Sequence, residues 1–201
     1  PAPVAIDSPE AEILPLTPKG VNVLETAISV MRSAARGRLI QMGSAIPNVK
    51  GSAVLQLHRE LKRHAHKIPN YEEDPQGYLP LRRQLAKKSI ASGSAIPADR
   101  MIVTAGCQEA LTIALRCIAG PGDIIAVESP CYYGMLQALE VLEIKVLEIP
   151  ASPTDGISIG QLEAALKKWP VKGVLLNPAF SNPTGYRCPD DKKKELVRLI
   201  T

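Results

Sequence analysis

Three stretches of the 201-residue sequence carry residue types suited to holding a ligand. The first, Thr104-Ala105-Gly106-Cys107-Gln108, lies where a β-branched run meets a helical pattern. Small residues at such a turn let a ligand approach the backbone, and the helix start offers N–H groups and partial positive charge to an anion. This is the chemistry of a phosphate cradle, although most strand-to-helix turns carry small residues for packing alone. The second, Glu128-Ser129-Pro130-Cys131-Tyr132-Tyr133-Gly134, follows another apolar run. An aromatic there can lie against a planar heterocycle and hold it by stacking, and a pair of surface tyrosines is the plainer alternative. The third is Asn177-Pro178-Ala179-Phe180-Ser181-Asn182-Pro183-Thr184-Gly185. An asparagine amide here can donate to a phenolate oxygen on a bound ring, with the prolines and Gly185 setting the turn that aims it. By composition alone the same residues make only a turn.

Short β-branched runs alternate with helical stretches around these motifs. Strands are expected at Met101 to Thr104, Ile124 to Val127, Lys145 to Ile149 and Gly173 to Leu176. Helices are expected at Cys107 to Ala119, Tyr133 to Val141, Ser158 to Trp169 and from Pro189 to Ile200. That alternation predicts an α/β fold with a mainly parallel sheet, whose carboxyl edge is where ligands collect. Upstream, helical spacing runs from about Val21 to Arg36, from about Ser52 to His66 and from Leu79 to Ser92. Leu39 to Met42 reads as a short strand leading into the loop Gly43 to Pro47, and Pro69 to Gly77 as turn. Residues 1–20 read as a linker or N-terminal arm, 21–68 as a helical segment and 69–201 as the N-terminal half of the α/β domain.

Composition narrows the classes. Hydrophobic residues make up 45% and charged residues 22%, enough apolar content for a sizeable core. No apolar run approaches bilayer length and no signal-peptide pattern opens the chain, so neither a membrane span nor a membrane partner is expected. Cys107, Cys117, Cys131 and Cys188 form no CxxC pair and no metal spacing with the histidines, which suggests free thiols in a reducing cytoplasm. His64 and His66, two apart, would point to different faces of a helix, which favours a structural role over a metal site. The net charge of +4 has no basic stripe with interleaved aromatics, so nucleic-acid binding is not expected of these residues. Lys192-Lys193-Lys194 reads as the solvated face of a helix. The chain opens at Pro1 and ends inside a helical pattern, so a piece of a longer protein is expected.

With those residues in view, Ser181-Asn182-Pro183-Thr184-Gly185 resembles the Asn-Pro-Thr-Gly signature of fold type I aminotransferases. The other two motifs stand in that family's order and near its spacings. The resemblance extends through Asp74-Pro75-Gln76-Gly77, Leu81-Arg82-Arg83 and Pro121-Gly122-Asp123, covering roughly residues 20 to 201. It is closer still to the aminotransferase-like domains of MocR-type regulators in the GntR family, as in Arg38 to Pro47, Ser129 to Ala138 and Val171 to Thr184.

The resemblance implies the first half of a large domain that binds pyridoxal 5′-phosphate (PLP), preceded by N-terminal helices. In that branch a winged helix-turn-helix domain lies upstream and contacts DNA, while the PLP domain senses an amino acid, an amine or PLP. A working aminotransferase, moving an amino group between an amino acid and a 2-oxo acid, is the alternative. By position, the amides of Gly106, Cys107 and Gln108 would hold the PLP phosphate, Tyr132 would stack on the ring and Asn182 would bond the phenolate oxygen. Tyr71 resembles the tyrosine that reaches the neighbouring subunit's cofactor in a homodimer, and Gly43 to Pro47 the loop lining the substrate carboxylate. The family's Schiff-base lysine, ring-nitrogen aspartate and carboxylate-binding arginine follow the Asn-Pro-Thr-Gly turn, and nothing in this sequence matches them. The 201 residues alone are therefore expected to be inactive, and, with Met101 to Thr104 deprived of partner strands, not to fold stably in isolation.

Overall fold

A computed structural model describes residues 16–35, 52–67 and 74–201. The stretches read as the arm up to residue 15, the strand Leu39 to Met42, the loop Gly43 to Pro47 and the position of Tyr71 lie outside the described residues. The chain divides into two compact units, residues 1–33 with 106–201 and residues 34–105.

The larger unit contains the sheet. After α4 (Cys107–Ile118) come β1 (Ile124–Ser129), α5 (Tyr133–Val141), β2 (Lys145–Ser152), β3 (Gly156–Ile157), α6 (Ile159–Lys168), β4 (Val171–Leu175) and α7 (Asp190–Ile200). The strand order is β3-β2-β1-β4. β1 pairs in parallel with both β2 and β4, while β3 turns back antiparallel on the end of β2. Central position explains the composition of β1. Ile124, Ile125, Ala126 and Val127 are all buried, as expected for a strand covered on both faces.

Alternation of side chains along β1 divides the core in two. Ile125 and Val127 pack with Leu115 of α4, Ala138 and Leu139 of α5, and Val146. Ile124 and Ala126 pack on the other face with Leu147, Ile149, Leu162 and Ala165 of α6, and Leu196 of α7. The result is a helix–sheet–helix sandwich. Local chemistry starts its helices: Ser158 accepts from Gln161 N at 3.4 Å at the head of α6, and Pro189 precedes the acidic first turn of α7.

The last residues of the expected arm are not free. Lys19 exchanges both backbone bonds with Val146 on β2, at 2.9 and 2.8 Å. Leu16 packs beneath α6, its carbonyl accepting from the Trp169 indole. Glu140 of α5 accepts from Val23 N and Leu24 N at 2.8 and 3.1 Å, closing the start of α1 (Leu24–Ala35).

The smaller unit holds α2 (Ser52–His64) and α3 (Leu79–Ala91). Arg82 is its buried hub, ion-paired to Asp74 and donating to Gly77 O, Gln76 Oε1 and Ala98 O at 2.9, 3.1 and 2.9 Å. Gly77 has φ +87°, and a Cβ there would stand 2.7 Å from the Val103 Cβ, so both conformation and space demand glycine.

Two expectations require correction. Met101 to Thr104 is not a strand: among the described residues no strand pairs with it, and Val103 N instead donates to Gln76 O in a loop, at 2.9 Å. A β-branched run alone cannot make a ladder. Nor are the three lysines all solvated. Lys192 is 14% exposed because its ammonium turns inward to Asp155 Oδ2 at 2.8 Å, while Lys193 pairs with Asp190 at the helix start.

Candidate functional site

Adjacent parallel strands whose outgoing helices cover opposite faces leave a crevice at their carboxyl ends. β1 and β4 are such a pair: α5 follows β1 onto one face, and α7 follows β4 onto the other. The two loops flanking the crevice are Ser129 to Tyr132 and Leu176 to Pro189, which contain the second and third chemical motifs.

The start of α4 joins this edge through α5. Gly106 is the N-cap of α4 with φ +113°, a residue with no side chain of its own to cap the helix, and a Cβ there would meet nothing within 4 Å. Gln108 Nε2 donates to Gly134 O at 3.1 Å. A Cβ on Gly134 would strike both the Gln108 amide and the Tyr132 ring, whose Cζ lies 2.8 Å from that point. Glycine at 134 therefore lets Gln108 and Tyr132 close on the first turn of α5. Tyr132 leans on Tyr133, with ring centroids 4.7 Å apart and planes inclined by 56°. Burial and the bond with Tyr133 raise the Tyr132 hydroxyl above its ordinary value, so the ring stays a neutral phenol at neutral pH. Beside it the Cys131 thiol is pushed up to about 12, by burial first and then by the charges of Glu128 and Glu148.

The β4 loop is held from below. Glu128, at 0% exposure near the end of β1, accepts from Asn177 N at 3.0 Å, from Ser181 Oγ at 3.2 Å and from the Tyr186 hydroxyl. The loop also bonds itself: Ser181 N to Tyr186 O at 3.1 Å and Cys188 N to Pro178 O at 2.9 Å, with a bridge between Ala179 and Arg187. Ser181 is buried, whereas its neighbour Asn182 is exposed at the turn.

Of the candidate residues named from sequence, Gly106, Cys107 and Gln108 sit at one helix start, and Gln108 meets Tyr132 at Gly134. Asn182 stands on the loop of the adjoining strand. Tyr71 lies outside the described residues. Two residues were missed as site components, Glu128 and Tyr186. The available signal was a carboxylate closing the otherwise apolar run Ile124 to Val127, since such a group enters a sheet only with partners.

The family model for aminotransferase class I and II matches residues 46–201. An uncharacterized HTH-type transcriptional regulator of Escherichia coli K12, YjiR, is 36% identical over 186 residues, covering 90% of this chain and 39% of the regulator. The crystal structure of a kynurenine aminotransferase from Pyrococcus horikoshii, in complex with PMP, superposes with a TM-score of 0.74 at 25% identity, over 96% of this chain and 47% of that one. The α-aminoadipate aminotransferase LysN from Thermus thermophilus, complexed with N-(5′-phosphopyridoxyl)-L-leucine, gives 0.62 at 26% identity, over 72% and 36%. The chain thus spans about two fifths of the length of the regulator it matches.

Proposed function

The chain belongs to the class I and II aminotransferases, and on that premise we propose that it is the cofactor-binding half of a PLP-dependent regulator of the MocR type. The regulator responds to an amino acid, an amine or PLP itself, as a cytoplasmic homodimer, and touches DNA only through a domain outside these 201 residues. One juxtaposition supports the reading: Gln108, from the helix start at Gly106, meets Tyr132 at Gly134, and the loops carrying Tyr132 and Asn182 follow the adjacent parallel strands β1 and β4.

The residues present fit PLP. The open space at Gly106 suits a phosphate, and the amides of Gly106, Cys107 and Gln108 are the donors that would hold it. Tyr132, kept in place by Gly134, would cover one face of the ring, and Asn182 would donate to the ring's phenolic oxygen. Tyr71 would reach the phosphate across the dimer. When bound, PLP supplies an aldehyde that condenses with primary amines and a ring that withdraws electrons from them. This chain's part is to bind and orient. Gln108 is tied to Gly134 O, and by donating to the phenolic oxygen Asn182 would stabilise negative charge there. Signalling to DNA then requires that the effector bind two states of the domain unequally.

Likeness to two solved aminotransferases favours a second reading, in which the full-length protein transaminates. Titration of the full-length protein with PLP, followed by visible absorption, tests the shared premise. Tyr132→Ala and Asn182→Ala should each weaken binding about tenfold. Unchanged affinity in both variants would remove PLP from this crevice. Amino-acid turnover with a 2-oxo acid, set against effector-dependent retention of operator DNA, then separates regulator from enzyme.

A further inference from the structure

Glu128 presents an energetic puzzle. It is wholly buried in the central strand, and among the described residues no cation pairs with it. An isolated carboxylate in such a place is strongly unfavourable, and a leucine would pack the strand as well. Its charge is met instead by three donors, all from the β4 loop: Asn177 N and Ser181 Oγ on Oε1, and the Tyr186 hydroxyl on Oε2. Tyr186 is itself fixed from behind. Its ring lies against Gly156 of β3, where φ is +84° and a Cβ would stand 2.7 Å from the Tyr186 hydroxyl oxygen.

Hydrogen-bonded this way, the loop has one position. Sliding it would strand an anion and three donors together, each costly in a low-dielectric interior. Ser181 directly precedes Asn182, so the bond to Ser181 Oγ sets where Asn182 stands relative to β1 and the loop carrying Tyr132. We propose that Glu128 is a positioning residue for the cofactor site: its carboxylate holds the Asn177 to Tyr186 loop so that Asn182 meets the ring at a fixed height. This rests on the reading that Asn182 faces PLP.

A cycle of variants in the full-length protein tests it, with PLP affinity and the pH midpoint of the bound cofactor's visible band as readouts. Glu128→Ala and Asn182→Ala should each weaken PLP about tenfold and move the midpoint in the same direction. The double variant should lose no more than either single, because Glu128 acts through Asn182. Glu128→Gln should recover most of the affinity, since Oε1 still accepts from Asn177 and Ser181 while the amide can donate to Tyr186. If Asn182→Ala changes nothing, the assignment of Asn182 to the ring fails and the proposal falls with it. If Asn182→Ala acts but Glu128→Ala does not, or the two losses multiply to about a hundredfold, Glu128 is merely structural and the PLP reading survives. Should Glu128→Ala lack a cooperative melt, Ser181→Ala takes its place in the cycle. It removes one loop bond without leaving a buried cavity of that size, and the same non-additivity with Asn182→Ala decides the matter.

Discussion

The indole N–H of Trp169 donates to the main-chain carbonyl of Leu16 at 3.0 Å, a bond across 153 positions of sequence. Together with the Lys19 bridge to β2, it pins the end of the N-terminal segment to the sheet that bears the proposed cofactor site. In a regulator of the proposed kind, that segment leads toward the DNA-binding domain, so its anchorage matters to coupling. Trp169→Phe removes the donor and should cost about 1 kcal/mol of stability. It should also speed proteolysis before Val21. An unchanged melting temperature and cleavage rate would show that the bond contributes nothing to anchorage.

Gly134→Ala drives a methyl group into the Gln108 amide and the Tyr132 ring. Both must shift, at a cost of about 1–3 kcal/mol. PLP affinity should fall with stability, because both displaced groups belong to the proposed site. A variant that melts earlier yet binds PLP like wild type would place Gln108 and Tyr132 outside the cofactor's reach.

Thiol chemistry offers a direct footprint. Cys107 and Cys117 are exposed, Cys131 is half-buried and Cys188 is buried. Cys131, pushed up to about 12, stays a thiol at about pH 8 and should react slowly, as should Cys188, whose burial also raises it. Saturating PLP should protect Cys107 from an aromatic disulfide reagent and leave Cys117 reactive. Equal protection of both, or of neither, counts against a phosphate at the α4 start.

Tyr186 should imprint on the alkaline limb of stability. Burial, and then its bond to Glu128, hold its hydroxyl above the ordinary value of 10.0. The folded chain therefore keeps this proton to higher pH than the unfolded chain. The contribution is complete below about pH 10 and is lost as pH rises above it, with a slope of at most about 1.4 kcal/mol per pH unit. Denaturant titrations from about pH 8 to 11 should show a shallower fall in Tyr186→Phe than in wild type. Parallel profiles would mean that Tyr186 ionises alike in both states.

Much of this was legible in the linear chain because it depends on neighbours in sequence. Pro130 before Tyr133 and the apolar spacing of Leu136, Leu139 and Ala138 define α5, which runs from Tyr133 to Val141 as the pattern implies. The β-branched Ile124 and Ile125 mark the central strand, and Asn182-Pro183-Thr184-Gly185 marks both a turn and a family resemblance. What the tertiary structure alone decided depends on partners far along the chain. Met101 to Thr104 has strand composition but no ladder, since a strand exists only when another lies beside it. Lys192 belongs by type to solvent, yet the fold brings Asp155 within 2.8 Å and turns it inward. Glu128 is the plainest case. Its sequence neighbours say only that a carboxylate ends an apolar strand, while its role is set by Asn177, Ser181 and Tyr186, 49 to 58 positions away. Local propensity is written in adjacent residues, but burial of a charge is settled by which distant donors the folded chain brings to meet it.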